Sequence, residues 1–143
     1  MKTTQNPFNH PLFDVKIVEN LKQLGYTTMT PIQEACIPVI LEQKDVTAKA
    51  NTGTGKTVAF GLPLLAKLNV RSMRIQSLIL CPTRELAEQV AQELRRLARC
   101  LPNIKILALC GGSRFTPQVI SLEHGAHVVV GTPGRILQHI DEK

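Results

Sequence analysis

The stretch Ala50-Asn51-Thr52-Gly53-Thr54-Gly55-Lys56-Thr57 decides the fold of this 143-residue chain. It lies between a short apolar segment, Val46–Ala50, and a run of helix-forming residues, Val58–Leu68. Glycines let the backbone curl and approach a polyphosphate closely, so that successive N–H groups point at its oxygens. The pattern predicts a phosphate-binding loop in which Lys56 reaches the terminal phosphates and Thr57 ligates Mg²⁺.

The loop departs from the general pattern G-x-x-x-x-G-K-[ST] at one position, because Ala50 stands where the first glycine is expected. An alternative interpretation is a glycine-rich turn that only caps the following helix. The dipole of that helix would add positive potential at the same point, which suits a bound anion. We therefore favour a nucleotide site.

The composition is that of an ordinary globular protein, with 43% hydrophobic and 20% charged residues. No apolar run is long enough to cross a bilayer, and Met1–Phe8 is polar, so we expect a cytoplasmic chain without a membrane partner. The net charge of +6 favours polyanionic partners, although alone it also fits plain solubility. Aromatic residues make up only 3%, so any nucleic acid is expected to be bound by its backbone.

The cysteines and two of the histidines give no sign of a metal site. No two cysteines form a C-x-x-C pair, and we expect reduced, mostly buried thiols. His124 and His127 are three residues apart, but we expect no metal role for them. The four cysteines are Cys36, Cys81, Cys100 and Cys110.

Helical and strand-like patterns alternate along the chain. This alternation predicts an α/β fold whose parallel strands are covered on both faces and joined by right-handed crossovers. The predicted strands are Ser77–Cys81, Ile104–Cys110 and His127–Val130. The predicted helices are a run from Val15 ended by Gly25, one beginning at Thr30-Pro31, the run after the loop, Arg84–Arg99, Pro117–Glu123 and Gly134–Ile140.

Thr30-Pro31-Ile32-Gln33 permits two interpretations. Thr30 and Gln33 have the spacing of a capping box, in which each side chain satisfies a backbone donor of the other residue. The carboxamide of Gln33 could also donate to and accept from the edge of an adenine. The segment taken alone favours capping.

Two arginines stand in the first turns of helices that follow strands. Arg84 lies in Cys81–Ala87 and Arg135 lies in Gly131–Arg135, each after a threonine at the expected N-cap. An arginine there opposes the helix dipole, so stability alone would favour an acidic residue. Ligands of open sheets bind beyond the strand ends, which indicates paired anion sites, although each segment singly also fits ordinary capping.

Together these segments resemble, in order, the first RecA-like domain of DEAD-box ATP-dependent RNA helicases. The stretch Ala50–Thr57 matches that family's motif I, A-x-T-G-x-G-K-T, which also explains the missing first glycine. The run Leu80–Gly112 is most similar to bacterial members that act on large-subunit ribosomal RNA. The other matching segments are Gly25–Gln33 (the Q motif), Phe8 (the upstream aromatic), Pro82–Ala87 (PTRELA), Gly111-Gly112 (GG) and Thr132–Arg135 (TPGR).

The resemblance implies an ATP–Mg²⁺ site and an RNA path. Gln33 would read the adenine and Phe8 would stack on it, while Thr57 would ligate the magnesium and act with Lys56 in catalysis. The other ATP-binding residues would be Tyr26, Thr52, Gly53, Thr54 and Gly55. The RNA backbone would be bound by Thr83, Arg84, Gly112, Thr132 and Arg135.

The resemblance also implies that the chain is incomplete. It would be one RecA-like domain over residues 1–143, with a Q-motif region at 8–42 and the loop and remainder at 45–143, truncated before the Asp-Glu-Ala-Asp strand. The strand entering the loop would lack its neighbours, so we expect a marginally stable monomer. The resemblance further implies that the second RecA-like domain, which would contribute the arginine fingers, is absent. Because one such finger is worth about 10³–10⁵ in rate, ATP hydrolysis by this chain alone should be close to undetectable.

Three functional hypotheses follow from the sequence. The first is part of an ATP-dependent RNA helicase whose activity belongs to the longer protein. The second is a non-catalytic module, formed by the truncated chain itself, that binds nucleotide or RNA. The third is an unrelated phosphate-loop enzyme such as a small kinase, which would not be expected to carry both PTRELA and TPGR.

Overall fold

The computed structural model describes residues 8–142, so the predictions made for residues 1–7 lie outside the described part. The chain divides into two compact units. The first is Met1–Lys67 with Arg96–Leu101, and the second is Leu68–Arg95 with Pro102–Lys143. Among residues 8–142, every helix is too short or too polar to cross a bilayer.

The first unit opens with two helices that have clear start signals. Helix α1 is Val15–Gln23, and its N-cap Asp14 accepts a hydrogen bond of 2.9 Å from the Lys16 N–H. Helix α2 is Pro31–Leu41, with Thr30 as N-cap and a proline in the first turn, as the sequence predicts.

Helix α3, Lys56–Ala66, follows the phosphate-binding loop and packs against α2. The apolar core of the first unit is built from buried side chains of these helices together with Phe8 and Phe13, which precede α1. The fully or nearly fully buried members are Phe8, Phe13, Ile17, Leu21, Cys36, Ile37, Leu41, Val58, Ala59, Leu62 and Leu65.

Residues 44–51, which enter the loop, have no regular secondary structure. Val46 is 39% exposed. A parallel strand exists only where a neighbour pairs with its backbone, and none of the strands in the described part pairs with this segment. The loop therefore depends on its helices for its position.

The second unit is an alternation of strands and helices, as predicted, with bounds that differ by one or two residues. In chain order these elements are β1 (Ser77–Leu80), α4 (Arg84–Leu97), β2 (Ile106–Leu109), α5 (Phe115–Glu123), β3 (Val128–Gly131) and α6 (Pro133–Asp141). A 3₁₀ turn, Ala98–Cys100, extends α4, whose last two residues belong to the first unit.

The three strands form a parallel sheet in the order β1-β3-β2. Val128 pairs with Ser77 on one side and with Ile106 on the other. All four residues of β3 are buried, so its run of valines is the centre of the unit.

The expectation that every strand is covered on both faces is wrong for β1. Leu78 and Leu80 are 52% and 54% exposed, and burial alternates along the strand. Leu78 and Leu80 are two residues apart and therefore lie on one face of the strand, so it is this face of β1 that lacks full cover.

The buried polar residues are satisfied by backbone groups. Asn20, 4% exposed, donates from Nδ2 to the carbonyls of Arg96 (3.1 Å) and Leu97 (3.0 Å) within the first unit. His127, fully buried, lies beside β3: its Nδ1 accepts from the Lys105 N–H at 3.0 Å, and its Nε2 lies 3.0 Å from the Val70 carbonyl. Nε2 therefore carries the proton.

The cysteines are free thiols, in line with the sequence. Cys36, Cys81 and Cys110 are buried and Cys100 is half-buried. Burial raises the pKa of the Cys81, Cys100 and Cys110 thiols, which disfavours the reactive thiolate.

Replacing His127 tests the importance of this buried ring. We expect His127→Ala to lower the free energy of unfolding by about 2–4 kcal/mol, because each unsatisfied buried group costs about 1–3 kcal/mol. Urea unfolding followed by circular dichroism measures the change.

The control for this substitution is His124→Ala. His124 is exposed, so the change should stay within about 0.5 kcal/mol. Equal losses in the two variants would show that His127 has no special structural role.

Candidate functional site

The phosphate-binding loop of the first unit ends in a glycine that begins α3. Gly53 and Gly55 both have positive φ, +79° and +83°, a conformation that other residues adopt at a cost. Gly55 is the N-cap of α3 and has no side chain to accept from the first turn. The first N–H groups of the helix have no intrahelical acceptors, so they face outward together with the positive end of the dipole.

Two side chains of the loop fold back onto its backbone. The Lys56 ammonium donates to the Ala50 carbonyl at 2.6 Å, and the Thr54 hydroxyl donates to the Asn51 carbonyl at 2.7 Å. Lys56 is exposed and Thr57 is half-buried. The cation predicted to meet the phosphates thus lies over the loop at the start of α3.

Gln33 joins α2 to the loop. Its Oε1 accepts from the Thr30 N–H at 3.0 Å, and its Nε2 donates to the Gly55 carbonyl at 3.2 Å. Only 1% of the residue is exposed. A Cβ at Gly55 would clash with Nε2 of Gln33, so the glycine is required by this contact as well as by its φ.

Thr30 adds a second link between the same segments. Its hydroxyl donates to the Thr54 carbonyl at 2.8 Å. The capping box predicted for Thr30 and Gln33 is present. That both side chains also hold carbonyls of the loop was not predictable from the sequence, since the contact spans 22 residues for Gln33.

The other predicted ATP-binding residues are placed as follows. Phe8 is 3% exposed, Tyr26 is half-buried and Thr52 is exposed, all in the first unit. Their roles toward the nucleotide stay predictions.

The donor set of the loop fits a nucleotide phosphate with its magnesium ion. The outward N–H groups and Lys56 supply positive potential, and the Thr57 hydroxyl would supply one oxygen ligand to the ion. Within residues 8–142, no three His, Cys, Asp or Glu side chains are grouped as a metal site. Most ligands of a magnesium ion at Thr57 would therefore be phosphate oxygens and water.

In the second unit, Arg84 lies beside the GG segment. Its Nε donates to Glu88 Oε1 at 2.9 Å, an exposed pair one helical turn apart that raises the pKa of the arginine. Gly112 has a φ of +82°, and a Cβ there would lie 2.6 Å from Arg84 Nη1. The hydroxyl of Thr83, the residue before Arg84, accepts a hydrogen bond of 3.3 Å from the Leu86 N–H. The predicted N-cap of α4 is therefore confirmed.

Arg135, in the first turn of α6, is held by residues that follow β2. Its Nη2 donates to the Ser113 carbonyl at 3.1 Å and its Nη1 to Gln118 Oε1 at 3.2 Å. Its guanidinium carbon lies 5.6 Å from the centre of the Phe115 ring. Thr132 is the N-cap of α6, as predicted, but makes no capping bond through its side chain.

His139 completes this group. Its ring stacks on Phe115 at 4.2 Å between centres, and its Nε2 lies 2.8 Å from Gln118 Oε1. Burial and then the charge of Arg135 lower the pKa of His139, against a smaller opposing effect of Glu142, so the neutral ring is favoured.

Phe115, Gln118 and His139 were not predicted from the sequence as neighbours of Arg135. One signal was available, because His139 is four residues after Arg135 and so shares its helical face. Nothing in the sequence indicated that Gln118 would reach both side chains.

The chain is similar to known helicases over most of its length. A family model described as DEAD/DEAH box helicase matches residues 30–143. The ATP-dependent RNA helicase DbpA of Escherichia coli is 58% identical over 86% of this chain and 27% of its own length. The ATP-dependent RNA helicase CshA of Listeria monocytogenes is 48% identical over 91% of this chain and 25% of its own. The chain thus spans about a quarter of these relatives.

Two solved structures are also similar to this chain. A crystal structure of a DEAD box protein from the hyperthermophile Methanococcus jannaschii superposes with a TM-score of 0.88 at 40% identity, covering 95% of this chain and 37% of that one. A hypothetical ATP-dependent RNA helicase from Sulfolobus tokodaii gives a TM-score of 0.80 at 34% identity, covering 91% and 37%. The predicted RecA-like architecture is therefore confirmed.

Substituting Gly55 tests its contact with Gln33. We expect Gly55→Ala to lower the free energy of unfolding by at least about 1 kcal/mol more than Gly25→Ala, because overpacking adds to the cost of a positive φ. Gly25 has a φ of +87° but no neighbour within 4 Å of an added Cβ. Chemical unfolding of both variants gives the comparison, and equal losses would contradict the packing argument.

Proposed function

Because the chain belongs to the DEAD/DEAH box helicase family, we propose that it is part of an ATP-dependent RNA helicase. Its first unit binds ATP–Mg²⁺ through the Q motif and the phosphate-binding loop. Its second unit binds the RNA backbone through the PTRELA, GG and TPGR segments. The single observation that carries the nucleotide half is the uncapped start of α3 beside Lys56, held in place by Gln33.

The nucleotide proposal assigns a task to each part of the loop. The first-turn N–H groups of α3 bind phosphate oxygens, Lys56 neutralises the terminal phosphates, and Thr57 contributes one ligand to magnesium. Gln33 recognises adenine while its contacts fix the loop, with Phe8 and Tyr26 beside the base. The fixed loop lowers the entropy lost on binding.

The RNA proposal rests on the segments that follow the carboxyl ends of the three parallel strands. Two of these segments carry an arginine. Arg84 follows β1, Gly112 follows β2, and Thr132 and Arg135 follow β3. Such ends of an open sheet are where ligands bind. Contacts of this kind hold phosphates rather than bases, so binding is largely independent of sequence and weakens with salt. A ribosomal RNA is the proposed substrate class, since the run Leu80–Gly112 is most similar to bacterial family members that act on large-subunit ribosomal RNA.

Catalysis belongs to the longer protein in this proposal. No Asp-Glu-Ala-Asp occurs in the chain, and phosphoryl transfer depends on such carboxylates and on arginine fingers to position water and neutralise charge. We expect the 143-residue chain alone to hydrolyse ATP at the background rate even with RNA present. A non-catalytic nucleotide or RNA-binding module is the alternative. A cytoplasmic location and a monomeric state are part of the proposal.

Removing the loop lysine tests the nucleotide site. We expect Lys56→Ala to weaken binding of fluorescent ADP with Mg²⁺ by at least about tenfold, because a charge-assisted contact is worth about 1.5–3 kcal/mol. Fluorescence titration of the purified chain measures the dissociation constant.

Lys67→Ala is the matched control, because Lys67 is exposed at the opposite end of the same helix. Its affinity should equal that of the unmodified chain. If Lys56→Ala also binds ADP normally, the site assignment is wrong.

Two adjacent glycines test the RNA site. The Cβ that Gly112→Ala adds would push against the Arg84 side chain. A Cβ added at Gly111 would have no neighbour within 4 Å, and Gly111 does not have a positive φ. We expect Gly112→Ala to weaken binding of single-stranded RNA about fivefold, the equivalent of one hydrogen bond of about 1 kcal/mol.

Fluorescence anisotropy at several salt concentrations measures both variants. Gly111→Ala should match the unmodified chain, and binding by all three proteins should weaken as salt rises. Binding that ignores salt would contradict backbone recognition.

A further inference from the structure

The guanidinium of Arg135 is restrained more than surface recognition of a phosphate requires. Three separate groups contact it, the Ser113 carbonyl, the Gln118 carboxamide and the Phe115 ring. All three belong to the segment from the end of β2 into α5. The TPGR arginine is thus tied to the residues that follow GG.

These contacts close into a ring of four side chains. Arg135 lies over Phe115, Phe115 stacks on His139, His139 is bonded to Gln118, and Gln118 is bonded to Arg135. Gln118 Oε1 accepts from both partners, which requires the proton on Nε2 of His139. The favoured neutral state of His139 keeps a second positive charge away from Arg135.

The arginine keeps enough donors for a ligand. A guanidinium has five N–H groups, and the contacts with Gln118 and Ser113 use two of them. Arg135 is half-buried, so the remaining donors are not all enclosed. A long side chain that is already ordered loses less rotamer entropy when it binds.

We propose that Phe115, Gln118 and His139 are positioning residues that orient the guanidinium of Arg135 for a phosphate of the RNA backbone. The proposal rests on the proposed function, and it adds that the GG and TPGR segments form one binding element. Phe115 is not a stacking platform for a base, because its ring is already engaged with His139 and Arg135.

Anisotropy titrations with a fluorescent oligouridine test the proposal on the 143-residue chain. We expect Arg135→Ala to weaken binding about tenfold, and Gln118→Ala and Phe115→Leu about threefold each, in keeping with one hydrogen bond and one cation–π contact. Phe115→Tyr keeps the ring and should restore binding. Gln138→Ala, on α6 and bonded to Glu142, is the control and should change nothing.

A double variant separates positioning from general support of the fold. If Gln118 acts through Arg135, then Gln118→Ala in the Arg135→Ala background adds no further loss. A further threefold loss in that background would overturn the proposal. If neither Arg84→Ala nor Arg135→Ala affects RNA binding, the proposed RNA function fails instead.

A measurement without RNA keeps the two failures distinct. Nuclear magnetic resonance of the ¹⁵N-labelled guanidinium reports rotation of Arg135 about its Cζ–Nε bond. We expect slow rotation in the unmodified chain and in Gln138→Ala, and fast rotation in Gln118→Ala and Phe115→Leu. Fast rotation already in the unmodified chain would overturn the positioning role, whatever the result of the RNA-binding titrations.

Discussion

The carboxamide of Gln33 is the contact on which the geometry of the first unit depends. One amide group offers an acceptor and a donor, so a single buried side chain satisfies the start of α2 and the carbonyl at the start of α3. An apolar residue of equal size would leave the Thr30 N–H without this acceptor, and the Gly55 carbonyl would keep only the bond from the Ala59 N–H. The contact also brings Gly55 so close that a Cβ is excluded there. The loop therefore takes its shape from α2 as well as from its own glycines.

The second unit depends on a different constraint, the parallel pairing of β3 with both neighbours. Parallel strands end at the same edge of a sheet, so the segments after β1, β2 and β3 converge although Gly111 is 27 positions after Arg84. This convergence places Gly112 beside Arg84 and Arg135 beside Ser113. The buried valines of β3 thus determine which loop residues can act together.

The sequence predicted element types well, because period and turn residues are local signals. Thr30-Pro31 marked the start of α2, and the short apolar runs marked all three strands. Exposure of Leu78 and Leu80 was not predictable from the run itself, since it depends on which elements cover that face of the strand. Of the candidate site, the loop and the arginines were predicted from the sequence, but the contacts of Gln33 with Gly55 and of Gln118 with His139 join distant parts of the chain.

The two arginines of the second unit differ in how much of their freedom the protein has already removed. Arg84 is exposed and has one pair with Glu88, and exposed pairs restrain a side chain only weakly. Arg135 has two hydrogen bonds and a ring beneath it. Both guanidinium groups can attract a polyanion by Coulomb forces. Directional hydrogen bonds to a phosphate, however, need an ordered donor. In the proposed function, Arg84 therefore suits attraction of RNA, and Arg135 suits fixing the position of one phosphate against the sheet edge.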